Sequence, residues 1–95
     1  MPIDTPSAES AVRIGAFADR VVGAVVLGRL GEREHVGLLE RLLEDREWWV
    51  RYRAAQALVA LPFLGPNALR RIQRRQTDRY AVDILDQAFA EVGIA

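Results

Sequence analysis

From Glu32 to Leu43 the chain sets apolar and charged residues at helical spacing. Val36, Leu39, Leu42 and Leu43 share one stripe, with Glu40, Arg41 and Glu44 outside it. Apolar residues three and four apart form the buried face of an amphipathic helix, so this segment is predicted as one. The next runs from Asp45, as its cap, to about Leu61, where Pro62 stops it. Its early Glu47 suits the positive end of a helix dipole. Pro66 or Asn67 opens another, to about Arg75, and Thr77 caps a last one, to about Val92, with Asp78 in its first turn. Upstream, Thr5-Pro6 reads as a cap with Pro at the first helical position, starting a helix to about Phe17. Asp19 opens the following one, to about Leu30, and Gly31 is its C-terminal stop. One stretch resists: Val21-Val22-Gly23-Ala24-Val25-Val26-Leu27 has the composition of a buried strand.

An offset of 31 residues resolves that stretch. Leu27-Gly28-Arg29-Leu30, Leu58-Val59-Ala60-Leu61 and Phe89-Ala90-Glu91-Val92 align at this shift, and Gln56-Ala57 meets Gln87-Ala88. Internal periods of about 20–50 residues mark repeat architectures. In this register Val21 to Leu27 is a helix. Three helical hairpins result, at approximately residues 6–31, 32–62 and 66–93, within a single domain over residues 1–95. One hairpin cannot bury its apolar faces alone; stacked neighbours make a continuous core.

The segment Asp45-Arg46-Glu47-Trp48-Trp49-Val50-Arg51-Tyr52-Arg53-Ala54-Ala55-Gln56-Ala57-Leu58 resembles the second half of a HEAT-like repeat. The resemblance is to the short bacterial kind, also found in phycobilisome-lyase-type proteins. Asp45, Val50, Arg51, Ala54, Ala55, Ala57, Leu58 and Leu61 carry it. Gly23, Ala24, Leu27, Gly28, Leu30 and Gly31 keep the small residues and ending of the first unit. The last unit, with Asp78, Arg79, Tyr80, Ala88 and Phe89, is degenerate. The resemblance spans approximately residues 8–93. It implies an all-α superhelix, a short solenoid in which the second helix of each hairpin lines a concave face. Fold of this kind does not name a function.

Projected at about 100° per residue, Val50 to Leu61 separates into zones. Val50, Ala54, Ala57, Leu58 and Leu61 fall together as core, flanked by Trp48, Ala55 and Val59. The complementary stripe is Trp49, Tyr52, Arg53, Gln56 and Ala60. Arg51 falls in the buried arc, where an Arg needs a partner. The resemblance implies pairing with the acid of the preceding turn, which makes Asp45–Arg51 the expected structural ion pair. Shifted by 31 residues, the stripe becomes Ala18, Val21, Val22, Val25 and Arg29 in the first hairpin, and Tyr80, Asp83, Ile84, Gln87 and Glu91 in the last. Trp49, Tyr52, Arg53, Gln56 and Tyr80 are therefore the candidate partner-binding residues, because exposed aromatics beside Arg are a hot-spot composition.

Composition narrows the chemistry. With 51% apolar and 27% charged residues, the chain has the make-up of a folded domain. All thirteen basic residues are Arg, and they balance thirteen acids to a net charge of zero. The absence of Lys and Cys excludes a lysine Schiff base, a cysteine nucleophile, a disulfide scaffold and any thiolate metal site. The single histidine, His35, excludes a multi-histidine metal site within this chain and reads as an ordinary surface or boundary residue. Ser7 and Ser10 lie in no nucleophile-elbow sequence, and Gly28-x-x-Gly31 lacks the rest of a phosphate loop. No catalytic residue, metal or cofactor is expected. The longest uncharged run, Ala54 to Leu69, is too short and too broken by Pro62 and Pro66 to span a membrane. The first residues carry no signal-peptide pattern, so a complete chain is expected in the cytoplasm.

Positive charge concentrates at Arg70, Arg71, Arg74, Arg75 and Arg79, a candidate basic patch for phosphates. Leu69 and Ile72 bury the opposite side of that helix. The arginines then point outward, where Asp78, Asp83 and Asp86 can neutralise them, and a solvated face is the preferred reading. The expected function is a non-enzymatic protein–protein interaction or scaffold module. Its partner is another protein or neighbouring repeats of a parent chain. Val22 and Val25 at one end, and Ile84, Val92 and Ile94 at the other, suggest lost neighbours or a homodimer through the ends. The alternative is nucleic-acid binding, by likeness to HEAT-like alkylpurine DNA glycosylases. A lyase-type enzyme rests on fold analogy alone.

Overall fold

The computed structural model describes residues 16–94, and every regular element among them is helical. The helices are α1 (Phe17–Leu30), α2 (Val36–Leu42), α3 (Trp48–Ala60), α4 (Pro66–Arg74) and α5 (Arg79–Glu91). A short 3-10 turn, Arg33–His35, leads into α2. The helix predicted from Thr5-Pro6 lies outside the described residues, apart from its expected end at Phe17, which instead opens α1.

Local chemistry accounts for the boundaries. Gly31 takes the left-handed conformation (φ 64°), and its amide closes on the Leu27 carbonyl at 3.3 Å. Glycine adopts that conformation without Cβ strain. Pro66 sits at the first position of α4, where its missing N–H costs nothing. At α5 the cap is Asp78, not the expected Thr77. The Asp78 carboxylate accepts the amides of Tyr80 (2.7 Å) and Ala81 (3.2 Å). Asp45 likewise stops short of capping α3. Its Oδ1 accepts the Glu47 amide at 3.0 Å in the turn just before the helix. The predicted helix from Glu32 to Leu43 begins as the 3-10 turn.

The valine-rich stretch of α1 is helical. β-Branched residues are only modestly poor helix formers, and tertiary packing decides such cases. Gly23, Ala24 and Leu27 are buried against the core. A Cβ on Gly28 would stand 2.6 Å from the Ala57 Cβ, so α1 and α3 approach backbone to backbone.

The third helix is the hub: it packs on α1, α2 and α5, while α4 packs mainly on α5. Leu27, Leu39, Leu43, Val50, Leu58, Leu61, Leu69, Leu85 and Phe89 are fully buried. The five core positions projected on α3 are all buried. Two neighbours differ. Trp48, placed in the flanking apolar arc, is 40% exposed, and Ile84, placed on the polar stripe, is buried. The body measures 50 × 26 × 21 Å along its principal axes. No helix among the described residues is long and apolar enough to cross a membrane.

Candidate functional site

Three aromatic rings meet at the start of α3. Trp48 and Tyr52, one turn apart, stack with centroids 4.9 Å apart and planes 11° from parallel. Trp49 meets both edge-on, at 4.9 Å and 6.0 Å. Offset and edge-to-face pairs are the favourable ring geometries, so the cluster holds its own shape. It nonetheless faces water: Trp49 is 49% exposed. The Arg53 guanidinium lies 5.7 Å from the Tyr52 centroid and 5.8 Å from that of Trp49, within cation–π reach. Its Nη1 donates to Gln56 Oε1 at 2.8 Å. Four of the five candidate residues therefore form one contiguous stripe.

The fifth, Tyr80, stands apart. It is exposed at the start of α5, with the Arg51 guanidinium 4.9 Å from its ring centroid. It shares a small cavity of about 90 Å³ with Trp48, Arg51 and Asp83. What α5 brings to the stripe is Glu91. The Tyr52 hydroxyl donates to both Glu91 carboxylate oxygens, at 3.0 and 2.9 Å. That hydrogen bond, with smaller contributions from burial and the Glu91 charge, raises the Tyr52 phenol above its ordinary value of 10.0.

Two grooves flank the exposed ridge of α3. The one toward α1 encloses about 560 Å³, lined by Val25, Gly28, Arg29, Arg53, Ala57 and Pro62 among others. The one toward α5, about 370 Å³, is lined by Val59, Ala88, Glu91 and Val92. Both include Gln56 and Ala60.

The expected Asp45–Arg51 ion pair is replaced by a different arrangement. Arg51 Nη1 donates to the main-chain carbonyl of Asp45 at 2.8 Å. The Asp45 carboxylate holds Arg20 in a bidentate pair, Nε–Oδ2 at 2.8 Å and Nη2–Oδ1 at 3.1 Å. The reason is burial. Arg20 is a buried residue of α1, and both side chains of the pair are 11% exposed. A buried guanidinium requires a carboxylate more than the half-buried Arg51 does. A signal for Arg20 existed: the 31-residue offset maps Arg51 onto it.

Three of the five clustered arginines face an acid. Arg70 lies 3.7 Å from Asp86 and over the Phe89 ring. Arg75 grips Glu40 of α2 with two bonds, 3.0 and 2.8 Å. Arg79 faces Asp83 at 3.7 Å. Asp78, expected as a counter-ion, is the α5 cap instead. Arg71 and Arg74 remain exposed.

His35, read as a surface or boundary residue, is buried, with Nδ1 4.0 Å from the Glu32 carboxylate. Its ligand atom and those of Glu32 and Glu34 lie within 4.8 Å of one another, a juxtaposition the spacing alone did not suggest. Glu34 is pushed above the usual carboxylate range, first by its hydrogen bond with Glu32 and then by the Glu32 charge.

No family model, curated protein or solved structure matches the chain. The stripe and its grooves offer stacking, cation–π and hydrogen-bond contacts to a bound molecule.

Proposed function

We propose that the chain is a short HEAT-like α-solenoid of about three hairpins, working as a non-enzymatic protein-interaction or scaffold module. Its partner binds the face carried by α1, α3 and α5. The observation that carries this reading is the Trp48–Trp49–Tyr52 cluster, with both tryptophans exposed and Arg53 against it, beside a groove that Arg53 itself lines. Tryptophan, tyrosine and arginine dominate binding hot spots, because rigid rings gain much contact area at little entropy cost. The solenoid itself is supported by the 31-residue offset, which puts α1, α3 and α5 in equivalent register, and by α3 packing on both of the others. Val22 and Val92, 60% and 58% exposed, leave the ends suited to neighbouring repeats or a second copy.

Nucleic-acid binding is the weaker reading, since Arg70, Arg75 and Arg79 each face an acid. Selection of partners from a protein-fragment display library, followed by titration of the recovered fragments, tests the proposal. Trp49→Ala and Arg53→Ala are each expected to weaken binding about tenfold or more, the loss of one strong contact. Unchanged affinity in both variants sinks the proposed surface. Salt-dependent binding of duplex or single-stranded DNA would favour the alternative.

A further inference from the structure

The two grooves differ in charge. The groove between α1 and α3 carries Arg29 and Arg53, and none of its lining residues is acidic. Arg29 is exposed in the last turn of α1 and makes no ion pair among the described residues. Arg53 uses one N–H on Gln56 and has four of its five donors left. The floor between them is apolar and shallow, because Gly28 and Ala57 bring the two helices together without side-chain bulk. The groove between α3 and α5 carries Glu91 and no basic residue. Gln56 and Ala60 line both, so the two grooves adjoin along α3.

We propose that the partner presents a peptide segment lying across α3, with an Asp or Glu carboxylate on Arg29 and Arg53 and an apolar side chain on the Gly28–Ala57–Ala60 floor. The end of the segment over Glu91 is neutral or basic. This rests on the reading of the α1–α3–α5 face as a partner surface. Two arginines beside an apolar floor match a carboxylate that follows or precedes an apolar residue, since the guanidinium fork binds carboxylates with two parallel bonds. Continuity across the ridge favours an extended chain over a compact small molecule. A nucleic-acid backbone would carry negative charge on to Glu91, whereas a peptide can change sign along its length.

The test uses a phage-displayed random 12-residue peptide library, selected on the whole chain. Asp or Glu next to Leu, Ile or Phe is expected to be enriched over the unselected library. One recovered peptide is then made synthetically and titrated. Arg29→Gln with Arg53→Gln is expected to weaken it about tenfold or more and to flatten its salt dependence. A chain carrying Arg29→Glu and Arg53→Glu is expected to select basic peptides instead. Circular dichroism verifies that each variant is folded, and should the double reversal unfold, Arg29→Glu alone carries the same expectation. If Trp49→Ala weakens the peptide and the arginine variants do not, the charge polarity is wrong while the surface stands. If neither set weakens it, both readings fall. Recovery of no peptide, or of peptides without acidic enrichment, overturns this proposal and leaves a folded partner for the same face.

Discussion

Asp45 collects four hydrogen bonds from three residues. Its carboxylate takes two from Arg20 and one from the Glu47 amide, and its carbonyl takes one from Arg51. It thereby joins α1 to the turn that starts α3. Removing one partner of a buried ion pair leaves the other uncompensated, at about 3–5 kcal/mol. Arg20→Met is therefore expected to cost about 3 kcal/mol in urea unfolding, and Asp45→Ala at least as much because the Glu47 amide loses its acceptor too. Loss of less than about 1 kcal/mol in both would mean the pair does not tie the helices. At Tyr52 the hydrogen bond to Glu91 raises the phenol above its ordinary value. The bond's contribution is fully present below pH 10.0, the ordinary value, and fades as pH rises through the raised one. Glu91→Gln is expected to bring the Tyr52 titration down toward that ordinary value, followed by NMR of a tyrosine Cζ label. Trp49, Tyr52, Arg53 and Gln56 were legible as a stripe because one helix projects them together. The Tyr52–Glu91 and Arg20–Asp45 bonds were not, because they join positions 39 and 25 residues apart.

At the scale of the element, glycine and proline boundaries were easier to read than side-chain caps. Gly31 and Pro66 act on their own backbone, and both ended or opened a helix where expected. The caps of α3 and α5 shifted by two residues and one, since Asp45, Thr77 and Asp78 all suit a cap and only the folded turn selects among them. The valines of α1 were ambiguous locally and were decided by packing, for which the 31-residue offset was the visible trace. Gly28 is where that packing is tightest. Alanine there gains about 1 kcal/mol of helix propensity but forces its Cβ into Ala57, and overpacking of this kind costs about 1–3 kcal/mol. The neighbour is backbone and Cβ, which cannot swing away, so the clash is expected to win. Gly28→Ala should be net destabilising in chemical denaturation, and adding Ala57→Gly should recover part of the loss. A stabilised Gly28→Ala chain would show that α1 and α3 stand further apart.

The whole molecule is organised around α3, and its stability should be graded accordingly. α3 packs on α1, α2 and α5, whereas α4 packs mainly on α5. Exposing α3 requires separating three helices at once, which is close to unfolding everything. α4 buries Leu69 and Ile72 and is tied to α2 at its end by the Arg75–Glu40 pair, in which the Arg75 side chain is 59% exposed. An exposed ion pair contributes about 0–1 kcal/mol, so that strap adds little. α4 can therefore open while α1, α2 and α3 stay packed, because its packing is mainly on α5 and not on the hub. Native-state hydrogen exchange is expected to give α3 amides the full unfolding free energy, with a strong dependence on added urea. α4 amides should exchange at a lower free energy with a weak urea dependence. Leu58→Ala, which hollows the hub, costs about 2–5 kcal/mol out of a total of roughly 5–15 kcal/mol. It should pull α3 down toward α4 until the two exchange together. Leu69→Ala should instead lower α4 and leave most of α3's protection in place. Equal protection of α3 and α4 in the unsubstituted chain would mean that the helices unfold as one cooperative block.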